Sequence, residues 1–313
     1  MFTKKEIMKK LLFAMAVLLF AIDAQGQSDP HYSMFMFNRL SINPAYAGGK
    51  EVLTFSGHYR NQWHGISGAP ITYTFAGHTP FFQKRCGIGL SVVVDKIGMV
   101  NTTFVDLSYA YRIKVNDKST LSIGLQGQLD YGRIDWNMAD PLDQGDEMLP
   151  MSASTKMNPN FGLGAYYAHP SFYVGVSVPR ILKTSIFDDE AADYVGVGAL
   201  RSYYLMGGLI MRMSKNVEFR PAALITVNPK SPFEADLNAS VVFMKALWVG
   251  ASYRLGDSFD FILQYQLTQQ LKAAVAVDVT LTELNNYSPG SFEIMLEYCF
   301  LNNGSRLKNI RYF

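Results

Sequence analysis

The side chains with most chemical reach are five histidines (His31, His58, His64, His78 and His169), two cysteines (Cys86 and Cys299) and a run of acids at Asp140, Asp143, Asp146 and Glu147. None of the histidines stands at metal-ligand spacing from another histidine or a cysteine. The acidic run could gather around calcium, but its spacing is not that of a 12-residue calcium loop, and a solvated loop is the expectation. A hydrolase needs a nucleophile, a base and an orienting acid within mutual reach. Ser56, Ser91 and Ser108 are available, yet none lies in a nucleophile-elbow context. No phosphate-binding glycine loop is present, because the Gly-x-Gly pairs fall inside strand-like runs. The expectation is a protein that is not an enzyme and carries no cofactor.

The elements around these residues explain why. Charged residues make up 17% of the chain and hydrophobic residues 49%, yet the mean hydropathy is close to neutral. Tyr, Phe and Gly are abundant. A closed sheet in a bilayer produces this mixture, since an apolar and a polar face average out along each strand. Period-two alternation is clear at 233–243, where Phe233, Ala235, Leu237, Ala239, Val241 and Phe243 interleave with Glu234, Asp236, Asn238 and Ser240. It recurs at 103–113, 271–281 and 292–300. Expected strands run 51–60, 70–79, 86–95, 101–114, 119–132, 159–168, 171–178, 200–213, 217–227, 233–243, 246–254, 258–267, 270–281 and 291–300. These are about fourteen, an even number, many near the ~9–11 residues that cross a bilayer at a tilt.

Every second link is short, as at Asn116-Asp117-Lys118, His169-Pro170 and Ser214-Lys215-Asn216, while the alternate links include the two longest, 133–157 and 179–198. That sorting suits an outer-membrane barrel with both termini on the short-turn, periplasmic side; a soluble β-sandwich has no reason for it. Aromatic girdles are expected from Tyr109, Tyr111, Tyr166, Trp248, Tyr265, Tyr298 and Phe300 at one rim and Tyr203, Tyr253 and Phe259 at the other. His58 and His78 fall on neighbouring strands and can both face the lumen, where a solvated lining role is the expectation. Cys86 and Cys299 have opposite facing, so no bridge is expected.

Residues 1–26 form a signal peptide, with Lys4, Lys5, Lys9 and Lys10 before an apolar run from Leu11 to Ile22. The mature chain then starts at Gln25 or Gln27 with 24 basic and 24 acidic residues. That balance argues against nucleic acid as a partner. Residues 27–50 are a leader containing DPHYSMFMFNRLSINPAYAGG at 29–49. Its apolar residues follow neither strand nor helix period, and Asn43-Pro44 is a turn signal. It either packs against the domain at 51–300, in or under the lumen, or plugs a pore and docks a partner. The tail 301–313, with Arg306, Lys308 and Arg311, is basic and reads as a disordered end or a periplasmic docking peptide.

The leader resembles the opening of the PorP/SprF family of type IX secretion and gliding-motility membrane proteins. Further blocks are similar: YRNQWHGISGAPITYTFAGHT at 59–79, DKIG at 95–98, NPNFGLG at 158–164, VGASYRLGD at 249–257, GSFEIMLEY at 290–298 and the terminal Arg311-Tyr312-Phe313. Arg39 departs from the pattern, which has Pro after Phe37-Asn38. The resemblance implies an all-β transmembrane antiparallel barrel in a Bacteroidota-type outer membrane, with a periplasmic or lumenal leader. It implies a non-enzymatic role in secretion or gliding, either binding a large secreted adhesin with a C-terminal secretion domain or anchoring periplasmic ring lipoproteins and a peptidoglycan-binding partner. Partner-binding residues expected on this basis are Tyr32, Phe35, Phe37, Asn38, Asn43, Pro44, Tyr46, Arg311, Tyr312 and Phe313. A channel for small or apolar solutes is the alternative.

Overall fold

The structure is a computed structural model that describes residues 30–138, 154–182, 184–185, 198–199, 201–229 and 233–301. Alternating side chains become a closed antiparallel sheet. Its strands are β1 (Thr54–Asn61), β2 (Ile71–Phe81), β3 (Cys86–Ile97), β4 (Val100–Lys114), β5 (Thr120–Ile134), β6 (Ser154–His169) and β7 (Phe172–Val178). They continue as β8 (Tyr203–Leu209, resuming at Met211–Arg212), β9 (Val217–Val227), β10 (Glu234–Phe243), β11 (Leu247–Arg254), β12 (Ser258–Gln266), β13 (Leu271–Thr280) and β14 (Ser291–Cys299). Each strand pairs with its sequence neighbours, and β1 pairs with β14 from Thr54↔Cys299 to Asn61↔Phe292, which closes the barrel and removes the sheet edges. The expected 200–213 strand is interrupted at Ile210, whose N–H donates to the Ser171 carbonyl instead of to the ladder.

The alternation sorts side chains in the sense a bilayer demands. Leu107, Leu237 and Leu296 are 61%, 56% and 54% exposed, whereas Asp106, Asp236 and Glu297 are 5%, 4% and 3% exposed. Leucine faces outward and carboxylates face a polar interior, the reverse of a soluble domain. Cys86 and Cys299 are both free. Cys86 lies against the Tyr109 hydroxyl at 3.2 Å on the outer side, while Cys299 shares the inward set of Glu293 and Glu297.

Links 82–85, 115–119, 170–171, 213–216, 244–246 and 267–270 lie at one end of the barrel, where β1 begins and β14 stops. Links 62–70, 98–99, 135–153, 179–202, 228–233, 255–257 and 281–290 lie at the other. Two of the tight turns run through left-handed backbone, at Phe82, Gln83 and Lys84 (φ 49°, 55° and 64°) and at Met244 and Lys245 (φ 49° and 59°). Such φ values match the twist of the flanking strands.

The girdle expectation needs two corrections. Tyr109, Tyr111, Tyr265, Phe300, Tyr203, Tyr253 and Phe259 are exposed as expected. Tyr166 and Trp248 are buried instead. Both sit at inward parity, and both pack on the leader: Tyr166 on Tyr46 with 5.4 Å between ring centroids, Trp248 on Phe37 at 5.1 Å.

Candidate functional site: the leader inside the lumen

The leader forms the core of the barrel. Met34, Phe35, Met36, Leu40, Ile42, Ala45, Tyr46 and Ala47 are buried and share one cluster with Ala76, Tyr166, Tyr173, Met206, Leu224, Val242, Trp248, Ile262 and Met295 of the wall. Its lack of period has a structural cause: it is surrounded on all sides and has no polar face to present. It contains one turn of helix, α1 (Arg39–Ile42), and a 3-10 turn at Pro44–Tyr46.

Its path follows from its contacts. His31 lies 3.5 Å from Glu234 at the first residue of β10, the end that carries the long links. The chain then descends, so that Phe37 meets Trp248 near the start of β11, at the short-turn end. It continues through α1 to Ile42, whose carbonyl accepts from Ser177 Oγ (2.7 Å) on β7, in register with Gly164 and Gly124. It then runs past Ala45 beside Gly124 and Ala47 beside Gly87 to Gly48, whose carbonyl accepts from Arg112 Nη1 at 3.1 Å. A compact series of turns thus occupies the lumen.

The two ends of this path are fixed by charge. At the long-link end, Glu293 Oε2 accepts from the backbone N–H groups of Ser33 (2.8 Å) and Met34 (3.3 Å). Ser33 Oγ donates to Asp278 Oδ1 (2.7 Å) and accepts from Arg60. Arg60 Nη2 is 2.6 Å from Asp278 and Nη1 3.6 Å from Glu293, while His58 Nδ1 is 3.2 Å from Glu293 Oε1. At the short-turn end Lys50 pairs with Glu297, which also receives Lys272 Nζ at 2.8 Å. Glu51 meets Lys84 at 2.9 Å and Arg112 at 3.7 Å. Ions as deeply placed as Arg60, Asp278, Glu293 and Glu297 are tolerated because each is paired, whereas Lys84 reaches solvent.

Between the two latches the wall is cut to fit backbone. A Cβ on Gly124 would lie 2.2 Å from Ala45 N, one on Gly164 2.2 Å from Asn43 Oδ1, and one on Gly87 2.1 Å from the Ala47 carbonyl oxygen. Gly87, Gly124 and Gly164 therefore let the leader lie close, which sequence spacing did not reveal. Asn43, fully buried, donates from Nδ2 to the carbonyls of Ala165 and Val176 (3.1 Å each) and accepts from the N–H of Ala45 at 2.9 Å. Arg39 lies 4.3 Å from the Tyr173 ring centroid and 5.4 Å from that of Tyr46, and donates to the Tyr166 hydroxyl at 3.4 Å. Tyrosine faces thus substitute for water around a guanidinium.

Of the partner-binding residues expected from sequence, Tyr32, Phe35, Asn38, Asn43, Pro44 and Tyr46 are brought together inside the barrel, with Phe37 partly buried beside them. Tyr32 bonds Thr74 Oγ1 at 2.8 Å, and Asn38 accepts from Ser41 Oγ at 2.9 Å. Arg311, Tyr312 and Phe313 lie outside the described residues, as do Asp140, Asp143, Asp146 and Glu147. Among the described residues no group of three or more His, Cys, Asp or Glu side chains is placed to hold a metal. His58 and His78 do face the lumen, but each is engaged, His58 by Glu293 and His78 by the Tyr46 ring at 5.5 Å. Ser91 donates to Asp106 at 2.8 Å.

An even-stranded closed barrel, apolar outside and ionic inside, defines an outer-membrane β-barrel, here filled by its own leader. Solved structures with this architecture include the Ralstonia pickettii toluene transporter TbuX (11% identity, 84% of this chain and 93% of that one, TM-score 0.51). A Pseudomonas aeruginosa FadL homologue is also similar (12% identity, 89% and 96%, TM-score 0.45). At such identities the likeness concerns the fold alone. The chain belongs to the family of type IX secretion system membrane proteins PorP/SprF, whose profile matches residues 24–298. No curated protein matches it. It is accordingly an outer-membrane component of type IX secretion.

Proposed function

We propose that this chain acts in the type IX apparatus as a non-enzymatic binding component, through its two faces and not through its lumen. The observation that carries this reading is the leader, held at one end by hydrogen bonds from Ser33 and Met34 to buried carboxylates and at the other by the Lys50–Glu297 ion pair, and seated on glycines, so that the barrel is built closed. The links at the two ends differ in chemistry. The two longest contain Asp135, Asp140, Asp143, Asp146, Glu147, Asp188, Asp189, Glu190 and Asp193 against Arg180, Lys183 and Arg201; the short turns contain Lys84, Arg85, Lys118, Lys215 and Lys245 against Asp117. With the short turns periplasmic, as is usual for such barrels, the basic face and the basic tail meet periplasmic ring lipoproteins and a peptidoglycan-binding protein. The long links meet a large secreted adhesin. Residues of the leader, including Tyr32, Phe35, Phe37, Asn38, Asn43, Pro44 and Tyr46, serve partner binding by holding the barrel in one shape; Arg311, Tyr312 and Phe313 contact the partner directly.

A tagged pull-down from gently solubilised native outer membrane, with bound proteins identified by mass spectrometry, tests this. Recovery of a large surface protein supports export or attachment of a dedicated substrate, and recovery of periplasmic lipoproteins supports anchoring. Recovery of neither, together with solute-dependent conductance in planar bilayers, overturns the proposal in favour of a channel.

A further inference from the structure

We infer that the N-terminus of the mature chain opens on the face that carries the long links, opposite to the face where β1 begins. In a barrel with an even number of strands, β1 starts and β14 stops at the same end, which is what suggests two termini on one side. The leader breaks that rule by threading the lumen. The covalent entry to the barrel, Gly48 to Thr54, is at the short-turn end, where Arg112 holds Gly48 and Lys50 pairs with Glu297. The first described residues are at the other end. Pro30, His31 and Tyr32 border a cavity of about 80 Å³ together with Arg180, Asn228 and Glu234, residues of or beside the long links. Ser33 is fixed there by Glu293 and Asp278, close to the first residue of β14 and the end of β13.

Chain length closes the argument. From a mature start at Gln25 or Gln27 to Pro30 there are few residues, and at ~3.3–3.6 Å each they reach at most roughly 20 Å. β14 alone is 9 residues long, about 30 Å at a rise of ~3.4 Å per residue. The lumen between is filled by the rest of the leader, from Met34 to Ala47. The N-terminus of the mature chain therefore stays on the side of the long links. Only the statement that this face is extracellular rests on the function proposed above.

The test uses the full-length protein in its own outer membrane. Single substitutions Ser28→Cys, Gln144→Cys in the 135–153 link and Asn116→Cys in a short turn are treated with a membrane-impermeant maleimide, in intact cells and after permeabilisation. The parent protein, whose Cys86 and Cys299 are both buried, supplies the background. Labelling of Ser28→Cys in step with Gln144→Cys is the expected result. Labelling in step with Asn116→Cys overturns the inference. Should Gln144→Cys and Ser28→Cys both react only after permeabilisation, while Asn116→Cys reacts in intact cells, the inference stands and the assignment of faces fails.

Discussion

Gly124→Ala tests whether the leader is held by the shape of the wall. Gly124 lies on β5 at inward parity, and a Cβ there would come within 2.2 Å of Ala45 N, 2.5 Å of Ala45 Cα and 2.5 Å of the Pro44 carbonyl carbon. Ordinary contact begins near 3.4 Å. All three atoms are backbone, so no side-chain rotation relieves the contact, and the leader must retreat by about an ångström. Overpacking of this kind costs roughly 1–3 kcal/mol. The cost falls on docking of the leader, because the strand itself tolerates alanine. An equilibrium shifted by ~1–3 kcal/mol changes by roughly 5- to 150-fold. Gly127→Ala is the internal control: it is on the same strand at outward parity, and a Cβ there has nothing within 4 Å. The assay is amide hydrogen exchange in detergent or nanodiscs, which reports local opening against global stability. Amides between Phe35 and Ala47 should exchange faster by that factor in Gly124→Ala and at the parent rate in Gly127→Ala, with β9–β12 unchanged in both. Equal exchange of the leader in the two variants would falsify the claim that the wall glycines seat it.

Other perturbations address the latches and the interior contacts. Glu293→Gln removes the charge that accepts from Ser33 and Met34; hydrogen bonds to charged groups contribute ~1.5–3 kcal/mol, so exchange at Ser33 and Met34 should rise while the hydrogen-bonded amides of Gly49 and Glu51 stay protected. Asn43→Ala loses three buried hydrogen bonds and strands two wall carbonyls, at about 1 kcal/mol or more for each; thermal unfolding of the purified barrel should shift down, and Asn43→Asp, which cannot donate to both carbonyls, should not restore it. Trp248→Ala removes the ring that supports Phe37 and underlies Arg220 at 5.0 Å; at ~3–5 kcal/mol for a buried Trp, the lower bend of the leader should become protease-sensitive at Phe37 while the strands stay intact. Current recordings in planar bilayers should be silent for the parent and show openings for Gly124→Ala combined with Glu293→Gln.

The barrel was legible because a bilayer imposes the same period on every strand. Phe292, Ile294 and Leu296 against Glu293, Met295 and Glu297 read directly as outward and inward sets. The tyrosines and tryptophans near strand ends were less legible, since proximity to a rim does not say which side of the wall a ring is on. Tyr166 and Trp248 turned inward because the leader supplied rings to pack against. The leader was recognisable as special through Asn43-Pro44 and its missing period, but its contacts inside the barrel were not. They include Ser33 with Asp278 and Gly124 with Ala45, each separated by many strands in sequence. The glycines of β5 and β6 read as ordinary relief of crowding, because the backbone that crowds them comes from elsewhere in the chain.

The closed lumen bears on function more strongly than the likeness to transport barrels does. A channel keeps its path free or blocks it with a segment that one site can release. Here release needs two separated groups of contacts to break, the hydrogen bonds of Ser33 and Met34 to Glu293, Asp278 and Arg60 at one end and the Lys50–Glu297 pair at the other. Breaking the first strips Glu293 of two N–H donors, and breaking the second leaves Glu297 with Lys272 as its remaining cation. The middle of the leader would also have to leave the wall glycines and withdraw Arg39 from between Tyr46 and Tyr173. A solute that binds at one mouth reaches only one of these groups. The arrangement instead ties the wall near both rims to one internal strut. Rigidity between two faces is what a component linking an external partner to a periplasmic one requires, and a Gly124→Ala barrel that folds but loses one partner in the pull-down while keeping the other would show the strut at work.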